Sequence, residues 1–155
     1  MDIEKAIVLA TTAHMGQVDK AGVPYILHPL RVGASLHRRG PHYVMAGLLH
    51  DVVEDTPITL EDIAELGAPP EVVDAISAVT KWESERTWEA YKQSLARAIS
   101  DPIGGWVKAA DVWDNYSRLD RELLPPETYK RLRKKYHQAI NFLARADFSP
   151  ADHAA

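Results

Sequence analysis

The sequence predicts an all-α protein that folds as a compact, single-domain bundle of about eight helices. Its 155 residues fit one domain, since a typical domain holds roughly 100–150 residues. The hydrophobic fraction of 46% and the charged fraction of 26% are those of an ordinary soluble protein. Apolar residues recur at helical spacing along most of the chain, and no segment alternates convincingly as a strand does. We expect the domain to cover residues 1–146, with residues 147–155 as a flexible C-terminal tail.

Eight segments carry the helical pattern. They are residues 2–17, 28–39, 42–55, 59–67, 69–80, 87–99, 106–119 and 125–145. In the first, Ile3, Ala6 and Ala10 belong to an apolar stripe of helical period. Gly40-Pro41 ends the second, and the third has a one-sided apolar stripe from Val44 to Val53.

Turn and capping residues set the bounds of the later helices. Thr59 and Asp62 form a capping-box pattern, and Gly67 closes that short helix. Proline suits the first turn of a helix, which places the next start at Pro69 or Pro70 and the last at Pro125-Pro126. The stretch 101–105, which contains a proline and two glycines, is expected to be a break before the helix at residue 106.

The composition excludes several classes of function. Cysteine is absent, which removes disulfides, thiolate catalysis and sulfur-ligated metals. The net charge of −4 argues against a surface for nucleic acid. No apolar run approaches the roughly 18 residues of a membrane span, and no secretory signal is visible at the N-terminus. We therefore expect a cytoplasmic protein without a membrane partner; the sequence is compatible with a homo-oligomer.

The third predicted helix contains His50-Asp51-Val52-Val53-Glu54-Asp55, whose four ionisable side chains share one face over Gly47. Gly47 leaves room there for another helix or for an ion. A solvated acidic face is the ordinary explanation of such a cluster. However, no Lys or Arg one turn away neutralises the carboxylates. Imidazole and carboxylate groups without sulfur suit Mn²⁺, Fe²⁺, Zn²⁺ or Mg²⁺, so a divalent metal is the preferred interpretation.

Two further residues are candidate ligands for that metal. His28 precedes a proline at the start of a helix, which restricts its backbone. Asp111 shares a helical stripe with Lys108, Asn115 and Arg118, a set that suits an ion beside a phosphate. Taken singly, His28 could make only a local hydrogen bond and Asp111 only an ion pair with a neighbouring cation. Together with the His50-Asp51 pair, they favour a metal site.

These residues carry a family resemblance. His28, His50-Asp51 and Asp111 match the H…HD…D pattern of the HD-domain metal-dependent phosphohydrolases. Residues 13–30, 47–56 and 107–111 with Asn115 resemble, in order, three motifs of the RelA/SpoT hydrolase domain. The resemblance covers about residues 5–140. The chain is similar to the small stand-alone alarmone hydrolases, such as the metazoan SpoT homologue.

The resemblance implies a Mn²⁺-dependent enzyme, with another divalent metal as an alternative, that removes the 3′-diphosphate of guanosine tetra- and pentaphosphate. It assigns His28, His50, Asp51 and Asp111 to the metal. It implies Glu54 and Asp55 as the catalytic acid–base pair. It also implies a set of substrate contacts, to which the helical stripe adds two cations. This set is Lys20, Asn115, Thr80, Lys81 and Tyr136 from the resemblance, and Lys108 and Arg118 from the stripe.

The chain departs from the family pattern at two acidic positions. Asp19 stands where the family has the first residue of a basic pair, and Asp114 where an aromatic residue or histidine is common. Both are expected to lower the positive charge near the phosphates. Another nucleotide or phosphate ester therefore stays open as the substrate. A nucleotide-binding sensor without turnover is the alternative from another class of function, and a helical interaction module is a third.

Overall fold

The computed structural model describes residues 1–82 and 87–149, and these residues are helical with no β-strand. The helices are α1 (Ile3–Ala13), α2 (Leu27–Ser35), α3 (Pro41–Leu49), α4 (Val52–Asp55), α5 (Leu60–Glu65), α6 (Pro70–Val79), α7 (Trp88–Ile99), α8 (Pro102–Ser117) and α9 (Pro126–Ala144), and a 3₁₀ turn spans His37–Arg39. The predicted all-α class is confirmed. Within the described part of the chain, no helix has the length and apolar character needed to cross a membrane.

The predicted third helix is wrong in one respect, because it is interrupted at His50 and Asp51 to give α3 and α4. In a continuous helix the Gly47 carbonyl would accept the amide proton of Asp51. Here the Gly47 carbonyl accepts a hydrogen bond from His50 Nδ1 at 2.8 Å instead. The side chain therefore competes with the backbone ladder and ends the helix at the His50-Asp51 pair.

The predicted break at residues 101–105 is also wrong, because α8 begins at Pro102. Asp101 caps the helix by accepting a hydrogen bond from the Gly104 amide at 2.6 Å. Gly105 is needed for packing: a Cβ there would lie 2.4 Å from the ring of Phe148. The predicted C-terminal tail, 147–155, lies outside the described residues from position 150 onward.

The central helix is α3, whose residues 44–49 are all buried. It packs against α1, α2, α6 and α8, and a second, smaller cluster of buried residues joins α7, α8 and α9. Helices α2 and α3 approach closely, since a Cβ on Gly47 would lie 3.0 Å from Gly33 Cα. Of the two uses expected for Gly47, the structure shows room for another helix. This approach brings the start of α2 beside the end of α3.

Gly47→Ala should destabilise the protein by about 1–3 kcal/mol, the usual cost of overpacking a core. The obstacle is backbone of α2, which cannot rotate away, so the cost should exceed the roughly 1 kcal/mol that alanine gains in helix propensity. Urea unfolding of both proteins measures the difference. An unchanged or increased midpoint would contradict the close approach of α2 and α3.

Candidate metal centre and substrate cleft

Four predicted ligands converge from three parts of the bundle. His28 lies in the first turn of α2, His50 and Asp51 form the α3–α4 break, and Asp111 lies in α8. His28 Nε2 lies 3.2 Å from Asp111 Oδ1 and 3.6 Å from Asp51 Oδ2. His50 Nε2 lies 3.0 Å from Asp51 Oδ2 and 3.9 Å from Asp111 Oδ1. The candidate ligand atoms of His28, His50 and Asp51 all lie within 4.8 Å of one another, and Asp111 Oδ1 lies beside the two imidazole nitrogens.

The orientation of His50 fits a metal ligand. A carbonyl oxygen only accepts, so the bond to Gly47 places the proton of the neutral imidazole on Nδ1 and leaves the Nε2 lone pair facing the carboxylates. The side chain is 2% exposed, and Nε2 makes no hydrogen bond of good geometry among the described residues, although Asp51 Oδ2 lies 3.0 Å away. Leaving a buried polar atom unpaired costs free energy. A divalent cation would satisfy it, and the nitrogen and oxygen donors here suit Mn²⁺, Fe²⁺, Zn²⁺ or Mg²⁺.

Asp111 is held in place by its own helix. Lys108 Nζ lies 2.9 Å from Asp111 Oδ2, and Asn115 Nδ2 donates to Asp111 Oδ1 at 2.6 Å. Burial alone would lower the pKa of Lys108, but the Asp111 carboxylate outweighs it and raises that pKa. Lys108 is therefore a buried cation paired with a candidate metal ligand. It does not line the cleft described below.

The ionisable groups of the centre compensate one another. Burial opposes a charge on His28, yet hydrogen bonds to Asp111 and Asp114 raise its pKa to about 10. Burial acts in the same direction on His50, and the Asp51 carboxylate outweighs it and raises the pKa. Burial would raise the pKa of Asp51, but the neighbouring His50 lowers it. Since a bound cation must displace the imidazole protons, we expect metal affinity to increase with pH.

Sequence reasoning missed the partners on the outer side of His28. His28 Nδ1 lies 2.7 Å from Asp114 Oδ2. The same carboxylate receives two bonds from Arg31, at 2.7 Å from Nε and 2.9 Å from Nη2. A spacing of three residues carries the signal on both helices, from His28 to Arg31 on α2 and from Asp111 to Asp114 on α8. The sequence did not indicate that Asp114 pairs with Arg31; the predicted effect of Asp114 on the charge near the phosphates stays a prediction.

The predicted acid–base pair lies on α4 beside the centre. Glu54 accepts a hydrogen bond from the Lys81 amide at 3.2 Å and forms an ion pair with the Lys81 ammonium. Asp55 is exposed, and its backbone carbonyl accepts a hydrogen bond from Gln17 Nε2 at 3.0 Å. Tyr25, which the sequence did not single out, donates to Asp51 Oδ2 at 2.6 Å. The loop before α2 thus contacts both a candidate metal ligand and α4.

A cleft of about 360 Å³ opens beside the metal centre, and His28 lies in its wall. It contains four of the predicted substrate contacts, namely Lys20, Asn115, Arg118 and Tyr136. Lys20 and Arg118 are exposed, and both line the cleft. One wall is apolar and consists of Leu119, Leu123, Leu124 and Leu132. This arrangement suits a ligand with anionic groups and a flat, less polar part.

The other predicted substrate contacts lie elsewhere. Thr80 is 2% exposed, and its hydroxyl donates to the Ile76 carbonyl at 2.7 Å. Lys81 pairs with Glu54 and does not line the cleft. Both residues are on the side of the centre that carries the acid–base pair.

Asp19 has a role that the sequence did not reveal. Its Oδ1 accepts hydrogen bonds from the amides of Ala21 and Val23, at 2.8 and 2.9 Å. The carboxylate therefore closes the turn that carries Lys20, as aspartates often do in loops. These backbone donors partly compensate the negative charge of Asp19, so we expect it to oppose phosphate binding less than the sequence suggests.

Comparison with known proteins gives consistent matches. A family model described as the HD domain matches residues 6–102. The bifunctional (p)ppGpp synthase/hydrolase SpoT of Escherichia coli is 31% identical over 150 residues, which are 92% of this chain and 21% of that protein. A guanosine-3′,5′-bis(diphosphate) 3′-pyrophosphohydrolase of Haemophilus influenzae is 36% identical over 137 residues, 83% of this chain and 20% of that protein. The chain thus spans about a fifth of the length of these curated relatives.

A solved structure extends the match to the whole bundle. It is described as a metazoan orthologue of SpoT that hydrolyses ppGpp and acts in starvation responses. The two structures superpose with a TM-score of 0.78 at 25% identity, and the match covers 91% of this chain and 84% of that one.

Proposed function

This chain belongs to the HD-domain family, and on that basis we propose that it is a Mn²⁺-dependent pyrophosphohydrolase of guanosine tetra- and pentaphosphate. The products are GDP or GTP and pyrophosphate. One observation carries the proposal: the ligand atoms of His28, His50 and Asp51 lie within 4.8 Å of one another with Asp111 beside them, and His28 also lines a cleft that contains cations and leucines. The names of the relatives support the substrate. The proposal places the enzyme in the cytoplasm, with its nucleotide.

The proposed metal ligands are His28, His50, Asp51 and Asp111. When bound, a divalent ion supplies a water of lowered pKa and positive charge beside the phosphate. His50 and His28 present unprotonated Nε2 atoms to it. Asp51 is held by Tyr25, and Asp111 by Lys108 and Asn115, so the carboxylates need little reorganisation.

Glu54 acts as the general base, because it lies one turn after His50 on the adjoining helix. It takes a proton from the water whose oxygen attacks the phosphorus attached to the 3′ oxygen. The bond between that phosphorus and the 3′ oxygen breaks, and Asp55 returns a proton to the 3′ oxygen. Lys81 holds the Glu54 carboxylate in position for the first step.

Lys20 and Arg118 hold the phosphates, since they are the exposed cations of the cleft that have no carboxylate partner in the described structure. Tyr136 and the leucine wall accept the guanosine. Asn115 links the two regions, because it lines the cleft while its amide donates to Asp111. Thr80 and Lys108 then support the site from within the bundle.

A panel of phosphate compounds with Mn²⁺ tests the proposal. Guanosine tetraphosphate, GTP, GDP and guanosine 3′-monophosphate are incubated separately, and nucleotide and phosphate products are separated by ion exchange. We expect equal amounts of GDP and pyrophosphate from the tetraphosphate and slow or no reaction with the others. Faster turnover of another compound would assign a different phosphate ester. Tight binding of the tetraphosphate without products would indicate the sensor.

Lys20→Ala and Arg118→Ala should each raise KM for guanosine tetraphosphate about 10-fold or more, with a smaller change in kcat. A hydrogen bond to a charged group contributes about 1.5–3 kcal/mol, and about 1.4 kcal/mol corresponds to tenfold. The effect should shrink at high salt, because both cations are exposed. Lys92→Ala, an exposed lysine on α7, is the matched control. An equal loss in the control, or an unchanged KM in both variants, would contradict the assignment.

A further inference from the structure

The contact between His28 and Asp114 has no equivalent at His50, the other proposed histidine ligand. His50 is oriented by a backbone carbonyl, at 2.8 Å. His28 is oriented by a carboxylate from another helix, at 2.7 Å. The side chains of His28 and Asp114 are 12% and 13% exposed, so water competes little for this bond. Arg31 contacts both oxygens of Asp114 and is 36% exposed.

We propose that Asp114, held by Arg31, is a positioning residue that fixes His28 as a metal ligand. The inference rests on the metal centre of the proposed function. An ionised carboxylate only accepts, so it selects the form of His28 with a proton on Nδ1. The Nε2 atom then faces Asp51 and Asp111, at 3.6 and 3.2 Å. A carboxylate in this position also makes an imidazole a stronger metal ligand.

The same contact also connects α2 and α8 beside the proposed metal site. His28 and Arg31 are one turn apart on α2, and both contact a single side chain of α8. Asp114 is itself one turn from the ligand Asp111 on that helix. The contact therefore sets the distance between two metal ligands as well as the ring orientation of His28.

Arg31 has a second consequence for the cleft. Arg31 and Asp114 both line it, beside the proposed position of an anionic substrate. An unpaired carboxylate there would repel the phosphates. The two bonds from Arg31 neutralise Asp114 and fix its plane. This pairing allows a carboxylate to support the metal ligand without opposing the substrate.

The test is a Mn²⁺ titration of chelator-treated protein, with the free ion followed by electron paramagnetic resonance and no nucleotide present. Asp114→Leu should weaken Mn²⁺ binding about 10- to 100-fold, the usual effect of losing such a support. Asp114→Asn keeps a hydrogen-bond acceptor for His28 Nδ1 and should lose less Mn²⁺ affinity than Asp114→Leu. Arg31→Gln releases the Asp114 carboxylate and should weaken Mn²⁺ binding several-fold. Turnover of the loaded variants should recover as Mn²⁺ is raised.

Asp120→Asn is the matched control, because Asp120 also lines the cleft but contacts the Glu122 amide instead of a metal ligand. Its Mn²⁺ affinity should stay within about twofold of the wild type. A Mn²⁺ affinity within twofold of the wild type in both Asp114→Asn and Arg31→Gln would overturn the inference, even if Asp114→Leu does not fold. An equal loss of Mn²⁺ affinity in Asp120→Asn would contradict the inference, because removal of any negative charge near the cleft would then explain the effect. Because no substrate is involved, the outcome is independent of which nucleotide is hydrolysed.

Discussion

Asp51→Ala is expected to remove the divalent ion and to abolish hydrolysis. The Asp51 carboxylate lies 3.0 Å from His50 Nε2 and 3.6 Å from His28 Nε2, so it is the anion between the two imidazoles. Without it, two neighbouring imidazoles and the Tyr25 hydroxyl face a cavity. A catalytic ion supplies several kcal/mol of transition-state stabilisation, and about 1.4 kcal/mol corresponds to tenfold. Turnover should therefore fall by about 10³ or more.

Elemental analysis of dialysed protein gives the metal content, and pyrophosphate release gives the rate. Asp74→Ala on α6 is the matched control and should keep both. Asp51→Asn adds a second measurement, since it keeps an acceptor for Tyr25 while removing the charge. Full metal content in Asp51→Ala would contradict the ligand assignment, whatever the rate.

Glu54→Gln should lower kcat about 10²–10⁴-fold, the usual contribution of a positioned general base. Metal binding should survive, because Glu54 contacts Lys81 and none of the four proposed ligands. The Gln side chain retains an acceptor for the Lys81 amide, so the local structure should change little. The change thus separates the proton transfer from the metal site.

Single-turnover rates at saturating Mn²⁺ are the measurement for this variant. Glu65→Gln at the exposed end of α5 is the control for loss of one surface carboxylate. If Glu54→Gln keeps the wild-type rate, the base is Asp55 or the activated water needs no base. If it loses the metal, Glu54 belongs to the ligand set.

Much of the fold was predictable because the helices depend on local pattern. The stripe from Val44 to Val53 predicted a helix with one apolar face, and in the structure every residue from 44 to 49 of α3 is buried in the core. The capping box at Thr59 and Asp62 is present. Where prediction failed, a side chain or a distant contact overrides local preference: His50 takes a backbone acceptor, and Asp101 caps a helix that its glycines disfavour.

The candidate site was predictable in the residues that the fold brings together, but not in the partners of those residues. The His50-Asp51 pair, His28 and Asp111 each carry a sequence signal, and the fold brings them together. The partners of Asp19 and Asp114 were not predictable, because a sequence gives the sign of a charge but not its neighbour. One accepts bonds from loop amides, and the other is paired with Arg31.

The most direct test of the central claim is a titration of metal-free protein with Mn²⁺ while hydrolysis of guanosine tetraphosphate is followed. The protein is first stripped with a chelator, and GDP and pyrophosphate are then measured at each addition. We expect no turnover without metal and full turnover at about one ion per chain, with the two products in equal amounts. Undiminished hydrolysis by the stripped protein would contradict a metal-centred mechanism. Stoichiometric Mn²⁺ binding without any release of pyrophosphate would contradict the proposed activity.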